Sequence, residues 1–200
     1  MTKTAVIACG ALSRDLNRII AERNLEIDLF EIDPLLHNSP KKIPAAVEEK
    51  IQILNGEYTK VILAYADCGT YGGLDEICQK YQLPRLRGNH CYDVYAGSTN
   101  LKRQFEVEPG TYILTDFLVS TFERSVNQEL GIDRYPYLRE DYFKNYTRLL
   151  WLAQDPTDEL TSKAMQIASS LNLSLQIQIA GASKLAEQLL AMIDTPAEDF

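Results

Sequence analysis

The chain has 200 residues, 46% of them hydrophobic, and a formal net charge of −8. Such a length and composition suit one large domain with a substantial core, and no run approaches the ~18 to 20 consecutive apolar residues of a membrane helix. The acidic balance argues against nucleic-acid binding, which depends on Lys and Arg neutralising phosphates; the pairs Arg85/Arg87 and Lys102/Arg103 read as solvated surface.

The amino terminus, MTKTAVIACG, runs straight into a strand-like segment without an apolar signal core, which predicts a cytoplasmic protein. Thr4–Cys9 is expected as a buried strand, then a helix capped by Ser13 with Leu12, Leu16, Ile19 and Ile20 on one face. Glu26–Asp33 alternates with period two as a second strand, and Ser39-Pro40 opens a helix with Ile43, Val47, Ile51 and Leu54 as its buried stripe. Lys60–Asp67 is the clearest strand, followed by a helix from Gly72 to Tyr81, a short strand over Pro84–Gly88 and a helix start near Cys91–Ala96. The stretch Gly97–Gly110 reads as a loop and the best place for a lid.

In the second half, Thr111–Asp116 is a strand and Phe117–Leu130 a helix stopped by Gly131. Tyr135–Tyr146 reads as an irregular segment with a short helix. Arg148–Gln154 and Leu173–Ala180 are strands, Asp158–Leu171 and Ser183–Ile193 helices, and the tail TPAEDF is expected to fray. Strands separated by helices throughout predict an α/β fold of the Rossmann-like, doubly wound kind: three layers, a mostly parallel sheet of about seven strands, helices on both faces. A single domain over 1–200 is expected, with pseudo-equivalent halves at 1–97 and 110–200.

In open α/β sheets, ligands bind beyond the carboxyl ends of the strands. Both histidines and three of the four cysteines fall there: Cys9, His37, Cys68 after Asp67, and His90-Cys91. Cys78 lies inside a helix and reads as a small core residue. No CxxC pair occurs, so a compact zinc ribbon is excluded and any shared site must be assembled by the fold.

Cys68 precedes Gly69 and the Gly72-Gly73 pair, where backbone can approach a ligand, hold an anionic group through N–H donors, and lower the thiol's pKa through the helix dipole. Thiolate and imidazole are good zinc ligands, and three thiolates can hold an iron–sulfur cluster with one open iron. A metal-free reading is also open, with Cys68 or Cys91 as nucleophile or proton carrier, His90 as base and Asp67 orienting it. Its Asp-Cys-Gly-Thr run resembles that of two-thiol amino-acid racemases over a few residues. The first turn lacks GxGxxG, and there is no Walker lysine motif.

Longer blocks carry a wider resemblance: ACGAL at Cys9, LHNSP around His37, YADCGTYGGLD around Cys68, GNHCYDVYAG around Cys91, GTYILTDFL and LGIDRYPYLREDYFKNY. Over nearly its whole length the chain resembles a bacterial and archaeal family known as domain of unknown function sixteen thirty-eight. The resemblance implies one-carbon chemistry or its support, with a corrinoid or methyltransferase protein as partner, and supplies no catalytic assignment.

The expected function is a metal-dependent enzyme binding zinc, with an iron–sulfur cluster second, through Cys9, Cys68, Cys91 and His37 or His90. Asp67 stands behind the ligands, and Arg134, Tyr135 and Tyr142 either face a small-molecule substrate or serve a structural role; the substrate is a methyl-accepting thiol or a small carboxylated metabolite. The alternatives are a metal-free Cys/His enzyme and a non-catalytic metal- or corrinoid-binding accessory protein.

Overall fold

The computed structural model describes residues 3–54 and 56–195. It is an α/β structure divided into two compact units, Met1–Val94 with Ala182–Phe200, and Tyr95–Gly181. Each unit holds one three-stranded parallel sheet. The sheet of about seven strands expected from the alternating pattern is therefore two separate sheets. The interruption has a local cause, because Pro84–Gly88 makes a single parallel bridge, Leu63 to Arg85, and helices follow it rather than strands.

In the first unit β1 (Thr4–Cys9) is buried along its whole length and lies between β2 (Ile27–Ile32) and β3 (Lys60–Ala64). A continuous apolar run is what a central parallel strand requires, since both of its faces are covered. Helix α1 (Ser13–Arg23) buries Leu16 and Ile19, and α2 (Ile43–Leu54) buries Ile43, Val47, Ile51 and Leu54 at helical spacing. Ser13 does not cap α1: it lies in the first turn, with its hydroxyl buried and without a hydrogen-bond partner among the described residues. Helices α3 (Gly73–Tyr81) and α4 (Cys91–Ala96) complete this stretch.

The second unit begins where a loop was expected. Ser98–Val107 is a helix, α5, with Leu101 buried. Strands β4 (Thr111–Thr115), β5 (Arg148–Ala153) and β6 (Ser174–Ile179) follow, with β5 in the middle. Between them lie α6 (Asp116–Phe122), a π-helical turn (Glu123–Gln128), α7 (Leu138–Phe143) and α8 (Asp158–Leu171). The single helix expected over Phe117–Leu130 thus changes hydrogen-bonding register halfway and ends at Gln128, and Gly131, with φ 70°, lies in the turn that follows. The chain then returns to the first unit as α9 (Ser183–Asp194), which buries Leu185, Leu189 and Met192. Lys60 of β3 donates to the carbonyls of Ile193 and Thr195 at its end. The TPAEDF tail lies outside the described residues except for Thr195.

At the carboxyl end of the second sheet the polar groups satisfy one another. Asp116 accepts from Trp151 Nε1 at 2.8 Å and from the backbone N–H of Gln154 and Asp155 at 3.1 and 2.7 Å. The Gln154 side chain accepts in turn from the Asp116 N–H. Asp116 is thus a buried strut rather than a helix cap, and Thr115 does the capping. Asp116→Ala would strand three donors, two of them buried, and it is expected to cost about 3 kcal/mol. Equilibrium denaturation with Trp151 fluorescence checks this.

Candidate functional site

Four segments of the first unit bring thiol, imidazole and phenol groups to the carboxyl end of one sheet. β1 ends at Cys9. After β2 the Asp33 carboxylate accepts from the Leu35 N–H at 2.9 Å and starts the 3-10 turn Pro34–Asn38, which carries His37. His37 Nδ1 lies 2.7 Å from the Pro34 carbonyl oxygen. A carbonyl only accepts, so Nδ1 carries the proton and Nε2 presents its lone pair, 3.9 Å from Cys9 Sγ. Burial pulls the His37 pKa down, with the Pro34 carbonyl opposing, and the ring stays neutral.

Beyond β3 the chain continues buried through Tyr65 and Ala66, then turns at Cys68 and Gly69, both left-handed with φ of 50° and 80°. Gly69 adopts this readily, but Cys68 is a residue that rarely does. Two backbone hydrogen bonds hold the turn: Asp67 N–H to the Gly88 carbonyl at 3.1 Å and Cys68 N–H to the Asn89 carbonyl at 2.7 Å. They set Cys68 against the start of α4, where the Cys91 N–H points at the Cys68 sulfur. The Asp93 carboxylate accepts from the N–H groups of Asn89 and His90 and fixes that start.

The thiols are enclosed. Cys9 and Cys68 keep 2% and 7% of their surface exposed. Cys91 retains some solvent contact as a residue, but its sulfur is surrounded by protein atoms. Burial pushes Cys9 up to about 11 and Cys68 up to about 12, and raises Cys91 well above the ordinary range. Mutual repulsion adds to the shift at Cys68 from Cys9, and at Cys91 from both others. Backbone N–H groups of Ala11 and Leu12 at Cys9, and of Cys91 at Cys68, only partly offset it. The helix-dipole lowering expected for Cys68 is therefore overridden by desolvation.

Tyr65 completes the group. It is fully buried, stacks on His37 with ring centroids 5.7 Å apart, and its hydroxyl has no hydrogen-bond partner of proper geometry among the described residues. Burial first, then the proximity of Cys9, Cys68 and Cys91, holds that phenol protonated. Sequence reasoning missed Tyr65; the one signal was a phenol near the end of an otherwise aliphatic strand pattern, KVILAYAD.

Other expected residues stand apart from this cluster. The His90 side chain is 61% exposed and stacks on Tyr92. Asp67 is consumed by its own loop, accepting from Thr70 Oγ1 and from the N–H groups of Tyr71 and Gly72. Burial alone would raise the Asp67 pKa, but those donors outweigh it and hold the carboxyl below the usual range. The N–H groups of Tyr71 and Gly72 thus serve Asp67. Gly73 is needed for packing, since a Cβ there would sit 2.9 Å from Pro44 Cγ. Cys78 is half-buried within α3, and Arg134, Tyr135 and Tyr142 lie exposed in the second unit.

Among the described residues, no group of three or more His, Cys, Asp or Glu side chains is arranged to hold a metal ion as it stands. None of the helices among the described residues is long and apolar enough to cross a membrane.

Parallel sheets alternating with helices make this an α/β protein, with a buried thiol–imidazole pair at the carboxyl end of its first sheet. The chain belongs to the family described as Protein of unknown function (DUF1638), whose profile matches residues 32–190. No curated protein and no solved structure matches it.

Raising a thiol from 9.0 to about 12, as at Cys68, cuts its thiolate fraction at neutral pH by roughly a thousandfold. In metal-free protein, Cys9 and Cys68 are expected to alkylate at least ~100-fold more slowly than in the guanidinium-unfolded chain. Because thiolate accumulates until pH passes the shifted pKa, their rates should climb about tenfold per pH unit up to pH ~10. Site-resolved mass spectrometry after pulsed alkylation checks this; a plateau near pH ~8.5, the free-thiol value, at either residue contradicts the burial argument.

Proposed function

We propose that this protein is a metal-dependent enzyme that binds zinc through Cys9, Cys68, Cys91 and the Nε2 atom of His37. The observation that carries the reading is a set of three buried thiols near enough to repel one another, one of which, Cys9, lies 3.9 Å from an imidazole whose Nδ1 is tied to a backbone carbonyl. That tie is the usual means of orienting a metal-binding histidine. Zn–S near 2.3 Å and Zn–N near 2.0–2.1 Å at a tetrahedral angle put ligand S and N about 3.6 Å apart. The Cys9–His37 separation of 3.9 Å is close to that spacing. Cys9, Cys68, Cys91 and His37 would hold the ion, which would supply the positive charge that the enclosed thiols lack, with the thiol protons released to solvent. An iron–sulfur cluster on the three thiolates is the second choice of cofactor.

The chemistry proposed is activation of a water or a substrate thiol at an exchangeable ligand position, with the Tyr65 hydroxyl as its hydrogen-bond donor. Methyl transfer to a thiol suits such a site, and so does work on a small carboxylated metabolite. Reduced cysteines fit a cytoplasmic setting. The metal-free Cys/His enzyme is the weaker reading, because its nucleophile must ionise where burial opposes ionisation. A non-catalytic accessory protein, serving a corrinoid or methyltransferase partner, is the second reading. The low exposure of Cys9 and Cys68 favours it, since a closed four-ligand site is structural rather than catalytic.

Anaerobically purified protein is expected to hold about one zinc per chain. Cys68→Ser and Cys91→Ser should each lower zinc affinity by at least ~100-fold while Cys78→Ser leaves it unchanged. Elemental analysis, chelator competition and the charge-transfer absorption of the cobalt(II)-substituted protein test this. Metal-free, colourless wild type whose cobalt spectrum lacks thiolate bands would sink the proposal. A zinc protein whose metal never exchanges a ligand with added thiols would favour the accessory reading.

A further inference from the structure

The second unit holds a cavity lined by its own residues. Helix α6, the π-helical turn, α7 and α8 surround an open cavity of about 400 Å³. Its floor is apolar, made by the buried Val119, Phe122 and Ile167. Its polar lining is divided by chemistry. Arg139 and Lys163 bring cationic donors, whereas Glu123 and Asn127 bring acceptors.

Two of these groups have an unmet valence. Arg139 Nε is buried without a hydrogen-bond partner among the described residues. Asn127 Oδ1 is buried likewise, and its amide is oriented because Nδ2 donates to Glu123 Oε2 at 2.7 Å. Lys163 is held by Glu159 at 2.7 Å on the adjacent turn of α8. A buried donor and a buried acceptor that each lack a partner are costly and uncommon in native proteins. Here the two residues concerned both belong to the lining of the same cavity. Asn127 also lies in the π-helical turn, a rare geometry often kept where a site needs it.

We propose that this cavity binds a small carboxylate bearing an adjacent N–H or O–H donor, an amino or hydroxy acid, with its carboxylate on Arg139 and its donor on Asn127 Oδ1. An anionic oxygen satisfies the guanidinium Nε through a charge-assisted bond. The donor satisfies Asn127 Oδ1, with the Glu123 carboxylate favouring an ammonium, and the floor accommodates a short aliphatic side chain.

The full chain is titrated calorimetrically with L-alanine, L-valine and L-leucine, and in a second arm with the matching 2-hydroxy acids. At least one probe is expected to bind saturably with Kd below about 1 mM. Binding confined to the amino acids identifies the donor as ammonium, and binding of the hydroxy acids identifies it as hydroxyl; both support the site. Arg139→Met should weaken the bound probe by at least ~30-fold. Without probe it should leave Tm unchanged or higher, because an apolar replacement removes an unsatisfied buried donor. Asn127→Leu should behave in the same way. The proposal is overturned if no probe binds below ~10 mM, if Arg139→Met binds as wild type does, or if either substitution lowers Tm, which would mean the orphaned atom is satisfied within the fold.

Discussion

Two backbone hydrogen bonds, from Asp67 to Gly88 and from Cys68 to Asn89, join the loop after β3 to the segment leading into α4. Without them Cys68 and Cys91 are merely residues on separate loops. With them the chain must turn through a left-handed cysteine, and the N–H of one thiol residue faces the sulfur of the other. Asp67 makes that turn affordable by gathering the N–H groups of Tyr71 and Gly72 and the Thr70 hydroxyl on one carboxylate. The remaining members, Cys9 and the His37–Tyr65 stack, come from β1, the turn after β2 and the end of β3.

The two sheets handle their carboxyl ends in opposite ways. In the second unit Asp116, Trp151, Gln154 and the backbone of Asp155 form a network in which these donors and acceptors meet. Such a network adds rigidity and offers little to a ligand. In the first unit the corresponding groups are thiols that cannot readily ionise, an imidazole nitrogen with a bare lone pair, and a phenol without a proper partner. Incomplete satisfaction of that kind is uncommon among buried groups.

Much of this was legible in the sequence, for identifiable reasons. Strands with every residue buried, such as Thr4–Cys9, and helices with a four-residue stripe, such as Ile43–Leu54, announce themselves through periodicity alone. The strand-end rule separated Cys9, Cys68 and Cys91 from Cys78, whose place inside α3 follows from the same pattern. Division into two sheets was not legible, because hydrophobic period reveals that a strand exists and not which neighbour it pairs with. Gly97–Gly110 reads as a loop because α5 has only Leu101 buried, which leaves almost no apolar stripe to detect. The direction of the thiol shifts depends on enclosure by several segments at once, so helix-dipole reasoning about Cys68 alone pointed the wrong way. His37 and His90 were indistinguishable until the Pro34 carbonyl oriented one and solvent surrounded the other.

The path of the chain between its two units has a consequence for how the protein is made. Residues 95–181 form a continuous unit, but the first unit waits for its last helix, which leaves the ribosome after all of them. Domains fold as units during synthesis, so the second can consolidate while the first lacks the Leu185, Leu189 and Met192 surface. Throughout that interval the sheet of the first unit lacks one of its covering helices, and the apolar surface that Leu185, Leu189 and Met192 will bury stays open to other chains.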